Sequence, residues 1–214
     1  MDARAPNASL RFMPASSCVT VYSLTRATRH RLSSWKHGSI FRDVVTDPAE
    51  VLRLGTAKAP ENLEFRRYLA AHGVDEKPFQ LIAGEVQTHI DCTSCANCCR
   101  YSIVSVSDRE IEAIAAHLGV TVDEASRTYT VPDPDAPSRR ILASSRRGCV
   151  FLSGNLCRIY NARPKVCRDF PHVAAGSHTL GTRPESHGRW AALCPIIYNA
   201  IEIYKHVTGF HPHH

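Results

Sequence analysis

Four of the chain's nine cysteines fall within eight residues, in the stretch Asp91-Cys92-Thr93-Ser94-Cys95-Ala96-Asn97-Cys98-Cys99-Arg100. Two-residue spacers between Cys92, Cys95 and Cys98 let a tight turn aim several sulfurs at one point, as both tetrahedral zinc sites and iron–sulfur clusters require. Cys99 cannot simply repeat Cys98, because neighbouring side chains diverge by about 100° on a helix and alternate faces on a strand. One of the pair therefore serves a different metal or none. Cys149, Cys157, Cys167 and Cys194 lie far along the chain and must fold back to join the first group. Ionised thiols brought together repel strongly in a low-dielectric site, and a bound cation relieves that repulsion.

The motif is followed by Gly148-Cys149-Val150-Phe151-Leu152, Cys157-Arg158-Ile159-Tyr160 and Arg163-Pro164-Lys165-Val166-Cys167-Arg168-Asp169-Phe170-Pro171. Together these elements resemble the CxxCxxCC cysteine-cluster family, described as a zinc- or iron-chelating domain. The resemblance covers roughly the second half of the chain and implies a soluble metal-binding protein. Its candidate ligands are Cys92, Cys95, Cys98, Cys99, Cys149, Cys157, Cys167 and Cys194. Zinc and an iron–sulfur cluster both remain open. Two Cys pairs suit a closed zinc site, whereas C-x2-C-x2-C with a distant Cys194-Pro195 is similar to a ferredoxin-type run that Cys99 interrupts. The eight thiols suit two four-thiolate sites, or one site with spare thiols.

Similar clusters occur in flagellin lysine methylases, so the resemblance permits a protein-modifying or redox enzyme. A zinc-stabilised interaction module is the third reading. No glycine-rich nucleotide fingerprint, Walker-type loop or HExxH helix accompanies the cysteines. Arg100, Arg158 and Arg168 each follow a cysteine directly and are candidates to offset the charge of a thiolate site, with ordinary surface pairing as the alternative. His89, His172, His178 and His187 are possible replacement ligands, although each reads first as a loop or surface residue.

Charge is divided unevenly along the chain. Of 26 basic and 20 acidic residues, residues 1–42 hold seven of the former and one of the latter, so the whole net charge of +6 sits in this tail. The neutral body argues against a broad nucleic-acid footprint. No run reaches transmembrane length. Without export the thiols stay reduced, which favours metal over disulfides and a cytoplasmic location. The acid-poor tail, an expected disordered extension, has some transit-peptide character and carries Cys18 as a bystander. A protein partner is possible and unspecified.

The elements that must position the cysteines read as an α+β fold, mainly helical and loop-rich, with a small hairpin. Residues 1–42 form the tail, 43–90 a helical lead-in, 91–209 the cysteine-cluster domain and 210–214 a polar terminus. Asp47-Pro48 starts a helix using Val51, Leu52 and Leu54, and a second runs from Pro60 to Gly73 with Leu63, Phe65, Tyr68 and Leu69 inward. Phe79, Ile82, Val86 and Ile90 mark a third.

After the cysteine loop, Tyr101–Val106 is extended, and Ser107 with Glu110 boxes a helix that ends at Gly119. Thr121 and Glu124 open another helix over 122–127. Three prolines make 132–138 an exposed loop unsuited to a central strand. Strands at 140–143 and 149–152 follow, the latter pairing with 156–160 across Ser153-Gly154-Asn155 to carry Cys149 and Cys157 near the hairpin's ends. Asn161–Phe170 is a compact turn or short helix presenting Cys167, and a surface loop runs on to Gly188. The last helix begins at Cys194-Pro195. Little continuous core joins residues 149–194, so metal is expected to supply much of their closure.

Overall fold

A computed structural model of the chain describes residues 43–74, 77–172 and 186–212. The basic tail with Cys18, and His178 in the loop that follows Phe170, lie outside the described residues. The fold is α+β and mainly helical, with small sheets.

The helices begin and end on local chemistry. In α1 (Pro48–Ala57) the Asp47 carboxylate accepts a 3.0 Å hydrogen bond from the Ala49 N–H, and Pro48 occupies the first turn, where its missing donor costs nothing. Val51 is fully buried, but Leu52 is 46% exposed, contrary to the expected apolar contact. Gly55 packs the helix instead. A Cβ there would stand 2.4 Å from the Ala191 carbonyl oxygen, so only glycine lets α1 lie backbone to backbone against α9 (Ala191–Leu193).

In α2 (Ala59–His72) Phe65 and Leu69 are inward, while Leu63 is 45% exposed because the buried stripe is anchored one residue earlier, at Asn62. Gly73 stops α2 in the left-handed region, at φ 54°. Helix α3 (Lys77–Thr88) buries Phe79, Ile82, Ala83 and Val86.

Helices α2 and α3 share a core with α10 (Pro195–Thr208), which is apolar on most sides and buried accordingly. Phe65, Tyr204 and Phe210 meet at its centre, with ring centroids 5.8 Å apart for Phe65–Tyr204 and 5.0 Å for Phe65–Phe210. Polar groups on α10 are matched rather than stranded. The Asn199 amide exchanges hydrogen bonds with the backbone of Val45 at 2.9 and 2.8 Å, pinning the start of the described chain. The buried Lys205 ammonium pairs with Glu61 and Glu202, each at 2.7 Å, and Lys58 shares Glu202.

A second, smaller core gathers Val104, Val106, Ile111, Ile114, Ala125, Leu142, Phe151 and Ile159. Its helices are α6 (Asp108–Leu118), opened by the Ser107–Glu110 capping box, and α7 (Val122–Tyr129), where the Thr121 hydroxyl accepts from the Glu124 N–H. Its sheet runs in the order β1 (Ser105–Val106), β3 (Ala136–Leu142), β2 (Thr130–Asp133), antiparallel throughout.

The sheet overturns the expected proline loop over 132–138. Pro132 lies on an edge strand, beside a register shift. Pro137 belongs to the central strand, but β1 pairs only with Arg140 and Ile141, so the proline sits on the overhang where no donor is needed on that side.

The hairpin expected across Ser153-Gly154-Asn155 is present but shorter, and Cys149 lies in a separate hairpin just before it. Strand β4 (Ser144–Ser145) pairs with β5 (Gly148–Cys149), and β6 (Leu152–Ser153) pairs with β7 (Leu156–Cys157). The extended segment expected over 101–106 is also shorter, since Tyr101 closes a helix and only Ser105 and Val106 form a strand.

Candidate metal centre

The cysteine motif folds as two single-turn helices, α4 (Cys92–Cys95) and α5 (Asn97–Tyr101), with Ala96 at φ 53° reversing the chain between them. Asp91 opens α4, its carboxylate accepting from the Thr93 N–H at 2.8 Å and the Thr93 hydroxyl at 2.6 Å. Three attachments then hold the motif to distant chain. Asn97 donates to the Leu193 carbonyl at 2.9 Å, setting α5 beside Cys194. Arg100 donates to the Cys95 carbonyl at 2.7 Å and to the Asn155 side chain at 2.5 Å, while Asn155 donates back to Ser94 at 2.9 Å. Gly148, at φ 108°, lies so close that a Cβ would be 2.8 Å from both Arg100 Cα and the Cys99 carbonyl oxygen. Glycine there is what allows β5, and with it Cys149, to approach α5.

All eight candidate cysteines are among the described residues, and none is in a disulfide. Cys194 is buried at the start of α10 against the helical core. Cys149, Cys157 and Cys167 instead pack on the smaller core, the last presented by α8 (Lys165–Asp169) after a 3-10 turn at Tyr160–Ala162. The motif lies between them. Six of the eight, Cys92, Cys98, Cys99, Cys149, Cys157 and Cys167, open on one cavity of about 650 Å³. Among the described residues, no three Cys, His, Asp or Glu side chains stand close enough together to hold a metal ion. The thiols are gathered around a shared space rather than drawn onto a point.

Their electrostatics record who neighbours whom. The hydrogen bond that the Cys98 S–H donates to Cys99, burial, and the nearby Cys99, Cys194 and Cys92 push Cys98 far above an ordinary thiol. The same hydrogen bond, with Arg163 and Arg100, holds Cys99 below it against the opposing effect of burial. Burial, then Cys99, Cys149 and Cys157, pushes Cys167 up to about 12, and burial, then Cys92 and Cys95, pushes Cys194 up to about 12. Burial also raises Cys149 and Cys157, with Cys99 acting on both. A soft cation is the ligand that suits such a set, since it relieves desolvation and repulsion together once the protons leave.

Two of the three arginines expected beside the thiols are there. Arg100 favours the thiolates of Cys95 and Cys99, and Arg158 those of Cys149 and Cys157. Arg168 instead donates to the Arg163 carbonyl and lies near Glu110 and Asp169. The cation that sequence reasoning passed over is Arg163, whose guanidinium stacks 3.5 Å from the Tyr160 ring centre and favours the thiolates of Cys92, Cys99, Cys157 and Cys167. It follows no cysteine, and no spacing rule marks it. Of the histidines, His172 lines the cavity, whereas His89 lies 3.7 Å from Glu85 on α3.

Tyr101, Ile103, Leu156, Tyr160 and Val166 also line the cavity and are exposed, Ile103 by 75%. The cysteines therefore open through an apolar and aromatic rim, in a space within the size range of small-molecule sites.

Residues 91–195 match the model of the CxxCxxCC family, described as "Putative zinc- or iron-chelating domain". The chain thus carries a domain of this family, as the cysteine spacing and the segments around Cys149, Cys157 and Cys167 implied. No curated protein and no solved structure matches the chain.

Proposed function

We propose that this is a metal-binding protein in which Cys92, Cys95, Cys98, Cys99, Cys149, Cys157, Cys167 and Cys194 hold zinc or an iron–sulfur centre. One observation carries the reading: thiols from well-separated segments gather around a single cavity without histidine or carboxylate competitors of comparable number. All-sulfur donor sets belong to structural zinc and to iron–sulfur chemistry, not to magnesium or calcium. When bound, the metal supplies the positive charge that keeps the thiols ionised and cross-links the segments that carry them. Arg100, Arg158 and Arg163 reduce the remaining negative charge. Such reduced thiols suit a cytoplasmic setting.

A second reading has its own support. The cavity and its apolar rim suit a protein-modifying or redox enzyme that uses the cluster beside a bound substrate, or a zinc-stabilised module that docks a partner there. Anaerobic purification, with zinc, iron and sulfide quantified on the sample used for visible absorption, tests the main reading. Stoichiometric metal is the expected result. A folded chain with no metal, and no uptake on anaerobic reconstitution with either zinc or iron and sulfide, contradicts it.

A further inference from the structure

Resting on that metal-binding reading, we propose that Cys98 and Cys99 are the fork at which eight thiols divide into two four-thiol sites: Cys92, Cys95, Cys98 and Cys194 in one, and Cys99, Cys149, Cys157 and Cys167 in the other.

The backbone supports the division. Cys98 and Cys99 are consecutive on helix α5, so their side chains leave it about 100° apart. On the Cys98 side, Asn97 is hydrogen-bonded to the Leu193 carbonyl at 2.9 Å, which brings the start of α5 to the residue before Cys194. Cys194 belongs to the helical core and does not line the cavity. On the Cys99 side, the carbonyl of Cys99 itself is the close neighbour of Gly148, one residue before Cys149. Cys149, Cys157 and Cys167 all pack on the smaller core, beside the cavity on which Cys99, Cys98 and Cys92 also open. Two separate anchors thus tie the two neighbouring cysteines to different partners.

Cys92 and Cys95 stand on α4, which the reversal at Ala96 sets directly before Cys98. Each set has the four thiols that a closed zinc site or a cubane cluster needs, and each joins the motif to chain far downstream.

Anaerobic cobalt(II) loading of the full chain, followed by its thiolate charge-transfer absorption, counts the sites. The wild type is expected to take about two ions at saturation. Cys98→Ser and Cys194→Ser should each halve the absorption, and the double variant of these two should lose no more than either alone. Cys99→Ser and Cys167→Ser should behave alike in the same way, whereas Cys194→Ser with Cys167→Ser should abolish binding.

Uptake of only one ion by the wild type overturns the division and leaves the metal reading standing; uptake of none overturns both. Loss of both ions on combining Cys98→Ser with Cys194→Ser also overturns the division. Wild-type protein gives a measurement independent of variant folding: thiols alkylated during stepwise chelation should become reactive as the two stated groups of four. Any other grouping contradicts the proposal.

Discussion

The helical core and the cysteine-bearing core are closed by different means. In the first, Phe65, Phe79, Tyr204, Ile82, Ile196, Ile197 and Ile201 are among the largest fully buried side chains, and long helices present them. In the second only Phe151, Ile114 and Ile159 reach that state. Around its cysteines the backbone offers ladders of two residues and helices of one or two turns. Such ladders have little stability of their own, and apolar burial scales with the area removed from water. The contrast points to where a cross-link would act most: the helices can hold by packing, whereas the segments bearing Cys149, Cys157 and Cys167 have little packing of their own and would gain most from joined thiols.

The largest single-residue effect expected is on the helical side. Phe65→Ala removes a fully buried ring that contacts Tyr204 and Phe210, and should cost about 3–5 kcal/mol in chemical denaturation. Metal content per folded chain should be unchanged, which separates packing from ligation. A parallel loss of metal from the folded fraction would show the two regions to be one cooperative unit.

A smaller change should act the opposite way. Gly148→Ala forces a methyl group against Arg100 and the Cys99 carbonyl at a positive φ, and should cost about 1–3 kcal/mol while lowering bound metal. Gly154→Ala is the control, because its φ is also positive, at 60°, but nothing stands within 4 Å of the added methyl. It should retain full metal content. Elemental analysis of both variants sharpens the comparison, and equal losses in the two would count against the close approach of β5 to α5.

These contrasts explain what could be read in advance. The Ser107–Glu110 box, the Asp47 cap and the stops at Gly73 and Gly119 depend on residues close in sequence, and all are present. Leu52 and Leu63 were expected inward because they are apolar. Their exposure depends on which neighbour covers each face, Gly55 against α9 in one case and Asn62 in the other. Pro137 was read as excluding a central strand, but the length over which β1 pairs with β3 decides whether its missing donor matters. The approach of Gly148 to Cys99 and Arg100, and the reach of Arg163 to Cys92 and Cys99, arise from tertiary neighbours, to which local pattern is blind. The eight cysteines were legible because their chemistry is rare at such density; their neighbours were not.

The least effect expected concerns a tie between α6 and the Cys167 segment. Glu110 accepts hydrogen bonds from the Ser107 and Lys165 N–H groups, each at 2.8 Å. Burial opposes its ionisation, but these donors and Arg168 prevail and hold its carboxyl below the ordinary value. Because the folded value is lowered, its contribution is present above the unfolded value of 4.5 and is lost as pH falls through the lowered one. Glu110→Gln should cost about 1 kcal/mol or less at neutral pH. It should also flatten the decline in stability below pH 4.5, measured by thermal melts across pH. An unchanged acid limb would mean that Glu110 does not couple these segments to pH.

Hydrogen exchange on the metal-loaded and chelated protein tests the central claim most directly. If ligation closes the cysteine-bearing region, chelation should strongly reduce protection at residues 149–169, while the amides of α2 and α10 at Phe65, Leu69, Ile201 and Tyr204 keep most of theirs. Equal protection of residues 149–169 in both states would contradict the account, since packing alone would then hold the cysteines in place.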